Sequence, residues 1–413
     1  MTRFKIMANP SCVLLRTSPK IDIQLKQNQS AAEYYTTGDV VEGIVSITVP
    51  NDLPLGIVQI YLQGISKIRF HRALQHGRAK TQHTFLSLRH PQDEMKIPMP
   101  VITSKGHEYR IPFYFVLPEK LPSQSCNHFT KSEQIADSHM NLPATVGDPG
   151  CQTYINDSSS DKAYVSYRIR VKISNPLDDN SVLTNMKCIR VLPHSFEEPP
   201  LETMGNELYL TQRVKSLNTV PFSNSSGRLS IKALQPRAIR LPDLKTTIYE
   251  KVGTTVAIDL EFLGTQLPPK LRTISSTLKV LTIYGATPWG NHPNAMTLSS
   301  LGNGNRGVCS DVISLSKLCI DSVKWKKQDI LLSDHESLPN ASHENDSLPQ
   351  LSKHISSIAV PITLPDTHSL VPTFHSCFIS RVYLLEIRLS YCQHGTLRVP
   401  AHISLMVPLQ ITK

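Results

Sequence analysis

Apolar and polar residues alternate along most of this chain, and the clearest run lies near its end. From Ser376 to Tyr391, the residues Cys377, Ile379, Tyr383, Leu385, Ile387, Leu389 and Tyr391 make one mostly apolar set, with Ser380, Glu386, Arg388 and Ser390 in the other. Successive side chains of a strand point to opposite faces, so a period of two predicts a half-buried strand. Arg381 interrupts the apolar set, and because arginine is so rarely fully buried it is expected near the sheet end, reaching water.

The same grammar runs through the first half. Ile21, Ile23 and Leu25 alternate with Asp22 and Gln24; Val41, Gly43, Val45, Ile47 and Val49 share a face after the turn signal Thr37-Gly38-Asp39. Val58, Ile60, Leu62, Gly64, Ser66, Ile68 and Phe70 share the next, and Gly64 suggests a bulge or a close backbone approach. Phe85-Leu86 starts a short run, and Tyr109, Ile111, Phe113, Phe115 and Leu117 form another, stopped by Pro118. Residues 119–162 are rich in Ser, Asn, Asp, His and Pro without periodicity, and are expected to be a long mobile insertion. Ala163, Val165, Tyr167, Ile169, Val171 and Ile173 then oppose Tyr164, Ser166, Arg168, Arg170 and Lys172, and a strand over Met186–Leu192 is expected to close the half.

Residues 193–226 read as a connection, with an extra strand over Glu207–Val214, and the second half then repeats the pattern. Leu229, Ile231 and Ala233 form one apolar set, Val252, Val256, Ile258, Leu260 and Phe262 the next, and Leu278, Val280, Thr282 and Tyr284 a third. Residues 290–350 read as a second mobile insertion, broken by a strand at Cys319–Trp325; Ile358–Leu364, the Ser376–Tyr391 run and Leu397–Val407 complete the set. Helical periodicity is nearly absent, with at most a turn or two at 324–332. Short strands separated by turn signals predict an all-β chain of two tandem antiparallel β-sandwiches, residues 1–192 and 227–413, joined by 193–226.

Composition narrows the function classes. The 413 residues are long enough for two domains, and 40% apolar residues with 18% charged fit a loop-rich β protein better than a disordered chain. A formal net charge of +10 draws the chain to acidic membranes, nucleic acid or acidic peptides without choosing among them. Eight scattered cysteines form no C-x-x-C, and no histidine pair stands at zinc spacing beside a cysteine pair, so reduced thiols in a cytosolic protein are expected and no metal or cofactor is indicated. The first dozen residues lack the apolar core of a signal peptide, and no window approaches the roughly 18 apolar residues of a membrane span.

Several of these stretches resemble the fungal arrestin-like proteins, the α-arrestins or arrestin-related trafficking adaptors. Gly38-Asp39-Val40-Val41-Glu42-Gly43-Ile44-Val45 is similar to the family's G-x-x-V-x-G-x-V strand, and Val58 to Gly64 to its I-x-V-x-L-x-G. Gly106 to Pro118 is similar to G-x-H/Y-x-F-P-F-x-F-x-L-P, and Val165 to Val171 to V-x-Y-x-I/L-x-V. Pro361 to Pro365, with Val371-Pro372-Thr373-Phe374-His375-Ser376-Cys377 and Ile379 to Tyr383, resembles the P-T-F-x-S-x-x-I-x-R-x-Y stretch of the C-terminal arrestin domain, and Val407 to Ile411 fits its last strand. The resemblance implies an arrestin fold of two immunoglobulin-like lobes and a non-enzymatic role. It implies a protein in the cytoplasm, recruited peripherally to plasma membrane or endosomes. There it would bind the cytosolic tails of membrane transporters or receptors and bring a HECT-type ubiquitin ligase alongside them. Tethering raises the effective concentration of one partner near the other. An arrestin-like signalling scaffold, for example in ambient-pH sensing, and a retromer-like coat subunit remain open beside the adaptor.

Two basic stretches are the candidate binding residues. Lys67, Arg69, Arg72, Arg78 and Lys80, interleaved with His71, His76 and His83, begin on a strand and run into a loop; Arg168, Arg170 and Lys172 form the polar face of the 163–173 strand. Lys and Arg give salt-sensitive attraction to acidic cargo segments or acidic lipid without one fixed geometry, although a solvated loop or outer sheet face would carry the same residues. Nucleic acid is not among the expected partners. The family's P-P-x-Y ligase-docking motif is not written here: Pro199-Pro200-Leu201-Glu202 and Pro268-Pro269-Lys270-Leu271 lack the tyrosine that fills a WW-domain pocket. No phosphate-binding, dinucleotide or kinase fingerprint occurs, and His375-Ser376-Cys377 sits within a structural motif, so no catalytic residue is assigned. Trp289 and Trp325 are expected to be packing residues.

Overall fold

The computed structural model describes residues 19–26, 34–50, 55–71, 78–91, 99–104, 106–147, 162–175, 178–194, 209–218, 226–242, 252–293, 305–328, 351–365, 369–393 and 400–413. The strands of the first half are β1 (Lys20–Leu25), β2 (Val40–Val49), β3 (Ile57–His71), β4 (Arg78–Arg89), β5 (Val101–Thr103), β6 (Gly106–Val116), β7 (Ala163–Asn175) and β8 (Asp178–Ile189). A 3-10 turn at Ser123–Ser125 and a helix α1 (Glu133–Met140) lie between β6 and β7. Then come β9 (Gln212–Asn218), β10 (Ser226–Ala233), β11 (Ile239–Arg240), β12 (Gly253–Gly264), β13 (Lys270–Gly285) and β14 (Arg306–Cys319). The chain ends with β15 (Lys326–Gln328), β16 (Ser352–Thr363), β17 (Phe374–His375), β18 (Ile379–Cys392), β19 (Ala401–Leu409) and β20 (Ile411–Thr412). The fold is all-β, as the alternation predicts.

Two pairs of antiparallel sheets enclose two hydrophobic cores. Sheets β1-β2-β6-β5 and β4-β3-β7-β8 face each other across the first. Sheets β15-β16-β12-β10-β9 and β14-β13-β18-β17, the latter extended by β19 on β18, enclose the second. β7 shows why these residues choose a strand: Val165, Tyr167, Ile169 and Val171 are all fully buried on one side, and each contributes roughly 1.5–3 kcal/mol by leaving water. The packing crosses the connection at 193–226, because Tyr284, Val371, Phe374 and Ile379 belong to the first core cluster. α1 spans eight residues, and no helix among those described is long and apolar enough to cross a membrane.

Several expectations are corrected. The part of 119–162 that is described, up to residue 147, is packed structure: Leu121, Ile135, Leu142, Ala144 and Val146 are buried, and Val146 bridges Val165. Within 290–350, residues 306–319 form β14 along β13, and β15 pairs with β16, while 320–325 is turn and coil. The polar composition that suggested loops reflects edge strands with little burial. β8 begins earlier than expected, at Asp178, and the strand expected at 207–214 lies at Gln212–Asn218. β18 is buried on both faces rather than one, because Leu281, Ile283, Trp289, Val382 and Leu384 form a third cluster behind it. Arg381 is therefore inside, 1% exposed, with Nη1 donating to Thr282 Oγ1 at 2.5 Å and Nε to Tyr383 Oη at 3.4 Å.

Candidate functional site

The two basic stretches, separate in sequence, come together on the outer face of one sheet. In β3 the side chains of Val58, Ile60 and Leu62 point into the core, which turns Gln59, Tyr61 and Gln63 outward. Pairing shifts register between Gly64 and Ile65, with both Ile65 and Ser66 buried, and Lys67 and Arg69 then continue the outer face. A Cβ on Gly64 would stand 2.3 Å from the Phe85 ring, which is why the shift sits at a glycine. β4 places Lys80 opposite Arg69 and Gln82 opposite Lys67; β7 places Arg168 opposite Gln63, Arg170 opposite Tyr61 and Lys172 opposite Gln59. Arg78 opens β4 opposite His71, but its side chain and all of Arg72 lie outside the described residues.

Neighbouring strands lie about 4.8 Å apart, so Arg69 and Lys80, which face each other, and Lys67 beside them are crowded, while the β7 cations follow one another at every second position of one strand. Strands β3, β4 and β7 contain no Asp or Glu. The Lys67 ammonium beside Lys80, followed by Arg69, pulls Lys80 below the ordinary lysine range. Lys67 Nζ lies 5.5 Å from the Tyr164 ring centroid, and Lys172 Nζ 5.5 Å from that of Tyr61, which uses the ring faces to hold the ammonium groups over the sheet. Lys80 and Arg69 are exposed, and Lys67, Arg168, Arg170 and Lys172 are partly so. The face can bind an extended anion by charge while leaving its exact seating open.

A second assembly was not predicted. Beneath the edge strand β4, Cys126, His128, His139 and Cys377 bring one ligand atom each to within 4.8 Å of one another. The 3-10 turn carries Cys126 just past its end, and Ser125 Oγ donates to Phe85 O of β4 at 2.7 Å. α1 begins at Ser132, whose Oγ accepts from Ile135 N, and buries Ile135 and His139 on one side, four residues apart. Lys131 N donates to Gly290 O at 3.0 Å, and Trp289 N to Cys377 O at 2.8 Å, so the same loop holds the helix start and the Cys377 turn. That turn is closed by Ser376 N and Oγ both donating to Ile379 O.

Within the cluster, Cys126 Sγ lies 3.4 Å from His128 Nε2 and 3.7 Å from His139 Nδ1. His128 Nδ1 is 3.1 Å from Phe129 O, which can only accept, so the Nδ1–H tautomer completes this hydrogen bond and is the one that would turn the Nε2 lone pair toward the sulfur. Burial, then the neighbouring His128 and His292, lowers His139 to about 4, and burial with His292 and His139 lowers His375 to about 3. Burial also lowers His83, on β4. Burial and the adjacent Cys126 push Cys377 up to about 12, opposite to the shift that activates a thiol nucleophile. His292 and His375 pack behind the cluster with ring centroids 4.4 Å apart and ring planes tilted by 56°. The signal available in sequence was Cys126-x-His128 with His139 following in the same insertion; Cys377, which contacts Ser125 across 252 positions, has no local signal.

Trp289 packs in the third cluster beneath Arg306, and Trp325 Nε1 donates to Pro269 O, both consistent with packing. No protein-family model matches this chain, and no curated protein matches it.

Proposed function

We propose that this chain is a non-enzymatic, arrestin-like adaptor that binds membrane cargo on its cytosolic side and promotes cargo ubiquitination and endocytosis by bringing a HECT-type ubiquitin ligase alongside. The observation that carries the reading is the one-signed outer face of β4, β3 and β7, where Lys67, Arg69, Lys80, Arg168, Arg170 and Lys172 stand together without a carboxylate on those strands. Such a face suits an acidic segment of a transporter or receptor tail presented near acidic lipid, where attraction is worth about 1 kcal/mol per Lys or Arg. With no P-P-x-Y in the chain, the ligase is reached through another kind of contact, such as a second adaptor.

Proximity labelling from the native cell, with and without a nutrient shift, tests the reading against a variant carrying Lys67→Glu, Arg69→Glu, Lys80→Glu and Arg168→Glu. The wild type should label a plasma-membrane transporter or receptor together with a HECT-type ligase, and the variant should lose the cargo. Purified protein should bind acidic cargo peptide at least about a thousandfold more tightly than the variant, from roughly 4 kcal/mol over four charges. Cargo labelling unchanged in the variant removes the basic face from the mechanism. Cargo without ligase favours the signalling scaffold, and a constant set of endosomal coat subunits favours the coat subunit.

A further inference from the structure

We propose that Cys126, His128, His139 and Cys377 form a structural zinc site that clips the segment carrying α1 to the turn before β18. The donor set is two thiols and two imidazoles, the composition of closed structural zinc sites. Two of the ligand–ligand distances already match the edges of a zinc tetrahedron, and the set needs only a small contraction to close on one ion. Zn–S bonds of about 2.3 Å and Zn–N bonds of about 2.0–2.1 Å set sulfur-to-nitrogen edges of about 3.6 Å, and Cys126 Sγ lies 3.4 Å from His128 Nε2 and 3.7 Å from His139 Nδ1. The remaining ligand atoms fall within the same 4.8 Å sphere of one another.

The surroundings fit as well as the ligands. A zinc-bound histidine characteristically donates its other ring N–H to a carbonyl or carboxylate, and His128 Nδ1 meets Phe129 O at 3.1 Å. Binding releases one proton from each thiol, so Zn²⁺ with two thiolates and two neutral imidazoles carries no net charge. That matters because His139 and Cys377 are buried, where an uncompensated charge is costly. The metal also answers why two thiols and two imidazoles from distant parts of the chain converge, with His139 and Cys377 buried and Cys126 and His128 half-buried. A disulfide would use the sulfurs alone and leave the imidazole placement unexplained.

The mechanical consequence follows from where the ligands sit. Cys126 and the 3-10 turn lean on β4, the edge strand of the basic sheet, and Cys377 opens the turn into β18 of the second core. One ion would tie these across the chain and brace the β4 edge against the second half.

The test is metal analysis of the full-length protein purified without chelator after expression in zinc-replete medium. About one zinc per chain is expected, falling to background in the Cys126→Ser/His128→Gln variant and persisting in Cys319→Ser, an exposed cysteine outside the cluster. Cobalt exchanged into the wild type should give the visible spectrum of a tetrahedral ion with thiolate charge transfer, a readout that needs no variant to fold. X-ray absorption of the zinc form should report two sulfur and two nitrogen neighbours. Removing the metal with a strong chelator should lower Tm in the wild type and leave the Cys126→Ser/His128→Gln variant unmoved. Wild-type protein with no zinc and no cobalt spectrum overturns the proposal, as does zinc retained by the double variant or a Cys126–Cys377 disulfide recovered by mass spectrometry from protein kept under reducing conditions.

Discussion

The sheet β4-β3-β7-β8 and the sheet β15-β16-β12-β10-β9 each turn one face to a hydrophobic core and the other outward. Their inner faces follow one rule: Ile60 and Leu62 on β3 and Ile258 and Leu260 on β12 are buried alike. Their outer faces differ. On β12, Asp259 stands opposite Lys232 and Glu261 opposite Ser230, and Lys353 of β16 reaches Glu261 at 3.1 Å. On β3 and β7 the cations meet glutamine and tyrosine instead. A water-facing sheet therefore does not require a one-signed surface in this architecture, since the second sheet balances its own charge. Like charges facing each other across strands oppose folding, and Lys80, held below the ordinary lysine range by Lys67, registers that repulsion. The first face carries this repulsion with no carboxylate on its own strands to offset it, and the anionic partner proposed above would relieve it.

The cores differ in how each holds its loops, and this gives the largest expected effect. Tyr167 is a post in the first core whose Oη donates to Pro143 O at 2.8 Å. Tyr383 is the corresponding post in the second, but its Oη donates to Val371 O at 2.7 Å and accepts from Val371 N at 3.3 Å and from Arg381 Nε at 3.4 Å. Buried polar groups that lose a partner cost about 1–3 kcal/mol each. Tyr383→Phe, which strips both backbone groups of the buried Val371, should therefore cost about 2–4 kcal/mol, and Tyr167→Phe about 1–2 kcal/mol. Denaturant unfolding of the two variants gives the comparison. Equal losses, or a larger loss at Tyr167, would show that the two posts are equivalent and that the extra contacts at Tyr383 carry little.

A smaller effect is expected from giving the first face the charge balance of the second. Gln59→Glu and Gln63→Glu place carboxylates opposite Lys172 and Arg168. Each cancels one cation, so binding to acidic cargo peptide or acidic vesicles should weaken roughly thirtyfold, from about 1 kcal/mol apiece. Stability should hold or rise by less than about 1 kcal/mol through the new cross-strand pairs. Isothermal titration at two salt concentrations separates the terms, because the lost affinity should shrink as salt screens it. An affinity that survives both substitutions would mean that anion binding lies elsewhere on the molecule.

Strands such as β7 were legible because every inward position from Ala163 to Ile173 is apolar, and nothing in the local sequence competes with a period of two. α1 was not, since eight residues burying only Ile135 and His139 make too short a periodic signal, even with Ser132 as its cap. Arg381 shows a deeper limit. Its neighbours predicted a sheet with one wet face, but Trp289 and Leu281 cover the other, and a strand's own pattern carries no record of what packs behind it. The basic residues were legible one by one, while their union on one face depends on the β3–β7 register, which single strands do not reveal. The thiol–imidazole cluster is the extreme case: three of its members lie in one insertion, and the fourth arrives from the far end of the chain.

The smallest expected effect comes from undoing the balance of the second face. Asp259→Asn with Glu261→Gln leaves Lys232 and Lys353 without the carboxylates that oppose or pair with them. The Lys353–Glu261 pair is partly exposed, and such pairs are worth about 0–1 kcal/mol, so unfolding should move by less than about 1 kcal/mol. Binding is the more telling readout. Combined with Gln59→Glu and Gln63→Glu, the substitutions should restore part of the lost adsorption to acidic vesicles, in a salt-sensitive form and without selectivity for the cargo peptide. Net charge would then account for adsorption, and the arrangement of Lys67, Arg69, Arg168 and Arg170 for selectivity. Full recovery of peptide binding through the second face would reverse that assignment: any basic sheet in this fold would serve, and the placement of cations on β3 and β7 would carry no specificity of its own.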